Sequence, residues 1–223
     1  QLRRSLNSLA RLKDIDLDIF IDKEKIKYSK DYVFESLGVH NIEYKLYGQR
    51  INMDYMFKDV SSLISIELIS ENETYITSMK NTFENCINLN KFESYNLNTS
   101  LVQSFHKLFY RTLLDTFQPD KIFDTSNALD LSYMFASSNI NAINFSFLRL
   151  NNAKNISNMF SNCHSLMDVY SDTLNIDSKN VEDMSSMFYN CESIIYLDLS
   201  FLDTNKVVNI SNMFKGCISL RRI

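Results

Sequence analysis

The chain has 223 residues, 45% of them hydrophobic and 22% charged, with a formal net charge of −4, which excludes wholesale disorder and leaves no basic footprint for nucleic acid. Three Gly and one Pro are too few for a sandwich or barrel full of tight turns. No apolar run approaches the roughly 18 residues of a membrane-spanning helix. The length fits one long domain or two ordinary ones. No signal peptide is visible, but the first residue is Gln1 rather than Met, so processing or clipping is compatible with the sequence.

Residues 1–50 read as degenerate N-terminal repeats or as a separate capping segment. Leu2, Leu6, Leu9, Leu12, Ile15 and Leu17 follow the spacing of the repeat described below, and Phe34, Val39, Ile42 and Tyr44 follow a shortened version of it. Asp14 to Asp22 (DIDLDIFID) alternates well enough to predict an edge strand, followed by a turn at Asp22–Lys25.

Residues 51–223 read as tandem repeats anchored on Phe57, Phe83, Phe109, Phe135, Phe160, Phe188 and Phe214, at intervals of 26, 26, 26, 25, 28 and 26 residues. Four residues before each anchor lies Met53, Met79, Phe105, Leu131, Ile156, Met184 or Ile210. The residue just before it is Met or Leu everywhere except at Thr82. With a further residue three past the anchor, this spacing marks one face of a short helix. Apolar residues 6, 9 and 11 past the anchor, as in Leu63, Ile66, Leu68 and Ile194, Leu197, Leu199, predict a short strand with one buried face. The expected fold is therefore an α/β solenoid, a leucine-rich-repeat-like right-handed coil of about 26-residue units. Short parallel strands would line one face and short helices the other, because a single unit cannot bury its own apolar face. The repeats on Phe109 and Phe135 have lost one residue in the bend and carry Thr112 and Ser138 in place of cysteine, and Pro119 falls where a strand residue should be. A local irregularity is expected around 110–123. The last residue, Ile223, sits in mid-strand of a repeat, as expected of a piece of a longer protein. The 25 Asn receive no structural assignment at this level.

The strings MSSMFYNCESIIYLDLSFLDTNKVVNISNMFKGCISL (184–220), ISNMFSNCHSLMDV (156–169) and MDYMFKDVSSLISIEL (53–68) resemble the BspA-like leucine-rich repeat surface proteins. The resemblance is strong over 156–223, moderate over 53–155 and weak over 1–50. It implies an extracellular or surface-attached, non-enzymatic recognition module, and it carries no particular ligand with it.

Cys86, Cys163, Cys191 and Cys217 all lie three residues past an anchor. One equivalent position in successive repeats points to small buried fillers rather than to metal ligands or a disulfide set, although stacking could bring Cys191 within disulfide range of Cys163 or Cys217, only one of which could pair. His40, His106 and His164 fall at unrelated positions and suggest no nucleophile–base pair, and no phosphate-binding or zinc-protease motif occurs. No catalytic residue, cofactor or metal is expected. The N-x-S/T sequons at Asn72, Asn98, Asn144, Asn155 and Asn209 permit glycosylation without arguing for it.

The outward strand positions carry more information. Glu67, Glu93, Tyr95, Asp168, Tyr170, Tyr196 and Asp198 form an expected stripe of acid and tyrosine, with Thr116, Gln118, Asp120, Ala142, Asn144 and Ser146 in register between them. Tyrosine suits interfaces because it offers a large area with a polar tip. Two functions follow. The first is a cell-surface or extracellular adhesion-type module that binds a protein or other macromolecule. The second is an intracellular structural scaffold subunit of a larger, cytoplasmic assembly.

Overall fold

A computed structural model describes residues 4–5, 17–27, 31–32, 41–46, 50–69, 74–119, 123–172 and 176–223. In the N-terminal part lie β1 (Arg4–Ser5), β2 (Leu17–Ile21), β3 (Glu24–Ile26), β4 (Asp31–Tyr32) and β5 (Ile42–Leu46). β1 pairs antiparallel with β4. β2 and β3 form a hairpin whose two turn residues, Asp22 and Lys23, have φ of 51° and 77°, the left-handed pair that matches strand twist in a two-residue turn. β5 pairs antiparallel with the other side of β2. The segment expected to be an edge strand is therefore the middle strand of three. The reason is burial: Ile19 and Ile21 are both almost wholly enclosed, and an edge would leave their backbone unpaired. Leu17, Ile42 and Tyr44 sit in this antiparallel sheet rather than in parallel register, and Leu2, Leu6, Leu9, Leu12, Ile15, Phe34 and Val39 lie outside the described residues.

The α/β solenoid with helices on one face does not form. Among the described residues there is no α-helix, only a single 3-10 turn at Phe145–Phe147. The strands fall into small separate sheets rather than one continuous face. β6 (Arg50–Asn52) pairs with β8 (Tyr75–Ser78), β7 (Ser65–Ile69) with β9 (Lys91–Tyr95), and β10 (Ala142–Asn144) with β11 (Asp168–Tyr170), each pair parallel. Residues 112–119 form no strand, as Pro119 led us to expect, and 120–122 lie outside the described residues. The segment 194–200 makes only an isolated bridge, Tyr196 to Arg222.

The reason helices fail is visible in the backbone around each anchor. The residues two before and two after it all have φ between 54° and 83°: Tyr55 and Asp59, Asn81 and Asn85, Lys107 and Arg111, Tyr133 and Ser137, Asn158 and Asn162, Ser186 and Asn190, Asn212 and Gly216. A left-handed residue every fourth position ends any α-helix. What forms is a run of overlapping tight turns. Met56 N–H donates to Met53 C=O, Lys58 to Tyr55, and Val60 to Phe57, all at 3.1 Å. The intervening N–H groups point the other way and bond the next repeat: Met53 to Ser78, Tyr55 to Lys80, Phe57 to Thr82 and Asp59 to Glu84, at 2.8–2.9 Å. Side chains spaced −4, −1, 0 and +3 around the anchors from Phe57 to Phe188 still converge inward, whereas Ile210 of the last repeat is exposed, so the turns reproduce a helical apolar pattern without a helix. Asn tolerates the left-handed region better than other non-glycine residues, and it fills six of these fourteen positions. The abundance of Asn that carried no assignment in the sequence thus has, in part, a backbone cause.

The anchor rings stack directly. Successive centroids from Phe57 to Phe214 are 5.3, 5.4, 5.7, 5.6, 5.7 and 6.1 Å apart, with interplanar angles of 13° or less. Tyr44 closes the N-terminal end of this column, its ring edge-on to Phe57 at 5.4 Å. Phe117 packs edge-on against Phe135 at 5.0 Å, so the irregular repeat keeps its core contact while losing its strand. Thr82, which broke the Met/Leu rule, donates its hydroxyl to Met53 C=O at 3.0 Å and so is satisfied inside the core.

A second column was missed in the sequence. Thr99, Thr125 and Ser178, each ten residues before an anchor, are fully buried. Each hydroxyl donates to a carbonyl of the following repeat (Asp124, Arg149 and Asp203) and accepts that same residue's N–H. The signal was available as a small hydroxyl residue at a fixed offset, hidden by attention to apolar spacing alone.

Candidate interaction surface

The seven proposed site residues fall into two groups. In the first, β7 and β9 place Glu67 directly across from Glu93, and Ile69 across from Tyr95. Like charges side by side are unfavourable. Lys91 relieves this by pairing with Glu93 at 2.9 Å, and the hydrogen bond and charge of Glu93 raise the Lys91 pKa. Glu67 and Tyr95 are exposed and Glu93 is half-buried. In the second group, Asp168 and Tyr170 lie outward on β11, and Tyr196 and Asp198 occupy the same register positions one repeat on. Asp198 accepts the Ser200 N–H at 2.9 Å, and that bond, with the Ser200 and Tyr196 hydroxyls and the Arg222 charge, holds its carboxyl below the ordinary range.

Between the groups the stripe is interrupted. Thr116 and Gln118 are exposed as expected, but Asn144, expected to face outward, is buried. Its Oδ1 accepts the Ser146 N–H at 2.9 Å and caps the 3-10 turn, while its Nδ2 donates to Asp172 at 2.5 Å. Asp120 lies outside the described residues. The surface also carries apolar side chains that the sequence reading did not assign to it. Met167 and Ile195 precede Asp168 and Tyr196 and are 55% and 58% exposed, beside Tyr170 at 46% and Tyr196 at 52%.

The remaining chemistry is accounted for by structure. Each cysteine thiol donates to the carbonyl of an anchor Phe in the preceding repeat: Cys86 to Phe57, Cys163 to Phe135, Cys191 to Phe160 and Cys217 to Phe188, at 3.0–3.1 Å. All four are free. Burial pushes the Cys86 thiol up to about 12 and Cys163 to about 11, and raises Cys191 and the half-buried Cys217 as well. Because the thiolate is the reactive form, a disulfide-exchange reagent at pH 8 should modify Cys217 first and the other three only on unfolding. Peptide mapping of the labelled protein checks this, and equal early labelling of Cys86 would contradict it.

Four of the sequon asparagines, Asn98, Asn144, Asn155 and Asn209, accept the N–H two residues ahead through Oδ1 at 2.9–3.1 Å. These are turns stabilised by their own side chains, so the sequon spacing has a folding cause. Asn72 lies outside the described residues.

His106 Nδ1 lies 2.7 Å from Ser132 Oγ and 3.8 Å from Asp130 Oδ2. This pair was not anticipated, but it is no catalytic relay. Both partners face the same ring nitrogen, whereas a relay holds serine and carboxylate on opposite ones. Ser132 is also buried. Among the described residues, no three His, Cys, Asp or Glu converge as a metal site.

One buried charge also escaped the sequence reading. The Glu84 side chain, 8% exposed, meets Lys58 at 2.8 Å, Lys107 at 3.8 Å and Asn81 Nδ2 at 2.6 Å. Burial alone would raise its pKa, but the hydrogen bonds from Lys58 and Asn81 and the two lysine charges outweigh this and hold it low. Lys58 lies over the Tyr55 ring, and Lys107 over those of Tyr110 and Tyr133.

Repeats tied by alternating tight turns around a phenylalanine column, with acid, tyrosine and aliphatic side chains outward, define a repeat-built protein with a continuous interior. The family model described as Mycoplasma protein of unknown function, DUF285, matches residues 51–173 and again 154–222, and the chain belongs to that family. No curated protein and no solved structure matches the chain. Among the described residues, no helix is long and apolar enough to cross a membrane.

Proposed function

We propose that the chain is a non-enzymatic recognition module of the BspA-like surface type, displayed at the cell surface or outside the cell, where it binds a protein. The reading rests first on one observation. Tyr95, Tyr170, Tyr196, Met167 and Ile195 are about half exposed and interleaved with Glu67, Glu93, Asp168 and Asp198, while the anchor rings Phe83, Phe109, Phe135, Phe160 and Phe188 are fully buried. Large side chains set outward beside carboxylates suit a partner that is both apolar and basic. The likeness of residues 184–220 to BspA-like repeats supports the surface location.

Reversing four charges together (Glu67→Lys, Glu93→Lys, Asp168→Lys and Asp198→Lys) should abolish partner capture by intact cells or immobilised protein. Rim and exposed charges change association and its salt dependence more than folding, so the melting temperature should move little. Unchanged capture would defeat the reading, and resistance of the intact protein to protease added outside whole cells would defeat the surface assignment.

A further inference from the structure

The two neighbouring repeats anchored on Phe160 and Phe188 carry the same pair of residues in opposite order. Asp168 and Tyr170 stand eight and ten residues after one anchor, and Tyr196 and Asp198 eight and ten after the other. Residues two apart on an extended strand are about 7 Å apart on one face. On β11 this sets Asp168 beside Tyr170; at 194–200, where no strand forms, the Tyr196 hydroxyl still reaches the Asp198 carboxyl, and each pair has an exposed aliphatic side chain, Met167 or Ile195, at its edge.

The second of these corners already holds a guanidinium. Arg222, bridged to Tyr196 across the backbone, places its guanidinium carbon 5.8 Å from the Tyr196 ring centre, and its charge helps hold the Asp198 carboxyl low. The first corner has the same chemistry. Among the described residues, no Lys or Arg forms an ion pair with Asp168 or lies over Tyr170.

We infer that the Asp168–Tyr170 corner, with Met167 beside it, receives an arginine side chain of a partner protein in the way the Tyr196–Asp198 corner receives Arg222. This rests on the strand-face recognition reading and names the chemistry of the partner. Arginine fits better than lysine because its planar cation stacks on a phenol ring while its fork reaches a carboxylate. An aliphatic neighbour in the partner lies against Met167.

The test uses the 223-residue chain with three capped peptides alternating leucine with arginine, lysine or citrulline, the last a neutral copy of arginine. Binding is followed by methyl NMR of the methionines, where Met167 is the local reporter. The arginine peptide should shift the Met167 methyl, the lysine peptide should bind more weakly and the citrulline peptide should not bind. Asp168→Asn and Tyr170→Ala should each weaken the arginine peptide roughly tenfold, the factor that about 1.4 kcal/mol represents. Both side chains are exposed, so melting should be unchanged in either variant. Binding unaffected by both variants, or citrulline binding as well as arginine, overturns the inference. If the arginine peptide responds only to Glu67→Lys and Glu93→Lys, the Asp168–Tyr170 assignment falls while the strand-face reading stands. If neither pair alters binding, both fall.

Discussion

Phe135→Ala should lower the unfolding free energy by about 3–5 kcal/mol, the range for deleting a fully buried phenylalanine when the site cannot collapse. Phe135 is wholly buried and lies between Phe109 at 5.7 Å and Phe160 at 5.6 Å, with Phe117 edge-on at 5.0 Å. Collapse is blocked because each ring is held in place by backbone bonds to the next repeat, such as Phe135 N–H to Met159 C=O and Phe109 N–H to Met134 C=O. The same substitution at Phe214, only half-buried and stacked on one side, should cost about 1–2 kcal/mol for the smaller apolar area it removes. Urea unfolding of the two variants, followed by far-ultraviolet circular dichroism, measures the difference. Equal losses at both positions would show that the column does not carry the core.

Removing the buried carboxylate should come next in size. Glu84→Ala leaves the Lys58 ammonium without its 2.8 Å partner and deprives Lys107 and Asn81 of theirs. Breaking a fully buried pair costs about 3–5 kcal/mol, and because the two lysines are about a third exposed here, about 2–3 kcal/mol is expected. The pH dependence has a definite sign. The Glu84 pKa is lowered on folding, so its contribution is present above the ordinary glutamate value of about 4.3 and is lost as pH falls through the folded value. The wild-type protein should therefore lose stability in acid more steeply than Glu84→Gln. Parallel acid-unfolding profiles for the two would remove Glu84 from this role.

Much of the interior was legible in the sequence. The 26-residue spacing located the anchors, and the alternation in Ile66–Leu68 and Leu197–Leu199 located inward positions correctly even where, as at 194–200, no strand forms. The helix prediction failed because apolar spacing reports which side chains meet, not which backbone brings them together. The left-handed residues at Asn158 and Asn162 satisfy that spacing with turns. The β2 assignment failed because a short alternating strand reads alike at an edge or between two neighbours.

The candidate surface was legible only in part. Outward positions follow from the alternation, which is how Asp168, Tyr170, Tyr196 and Asp198 were found. The burial of Asn144 was not readable, because it depends on a cap to Ser146 and a bond to Asp172 from the next repeat. The same holds for Glu84, whose partners Lys58 and Lys107 lie 26 and 23 residues away along the chain.

By itself, the amino-acid sequence determined the period of the chain, the rings that fill its interior and most of the residues that face away from it, because burial imposes a pattern on composition. Only the tertiary structure decided how successive repeats are joined, which carboxylate becomes enclosed and why Asn144 turns inward. Those outcomes depend on hydrogen bonds and charges meeting across neighbouring repeats, and no local stretch of sequence contains both partners.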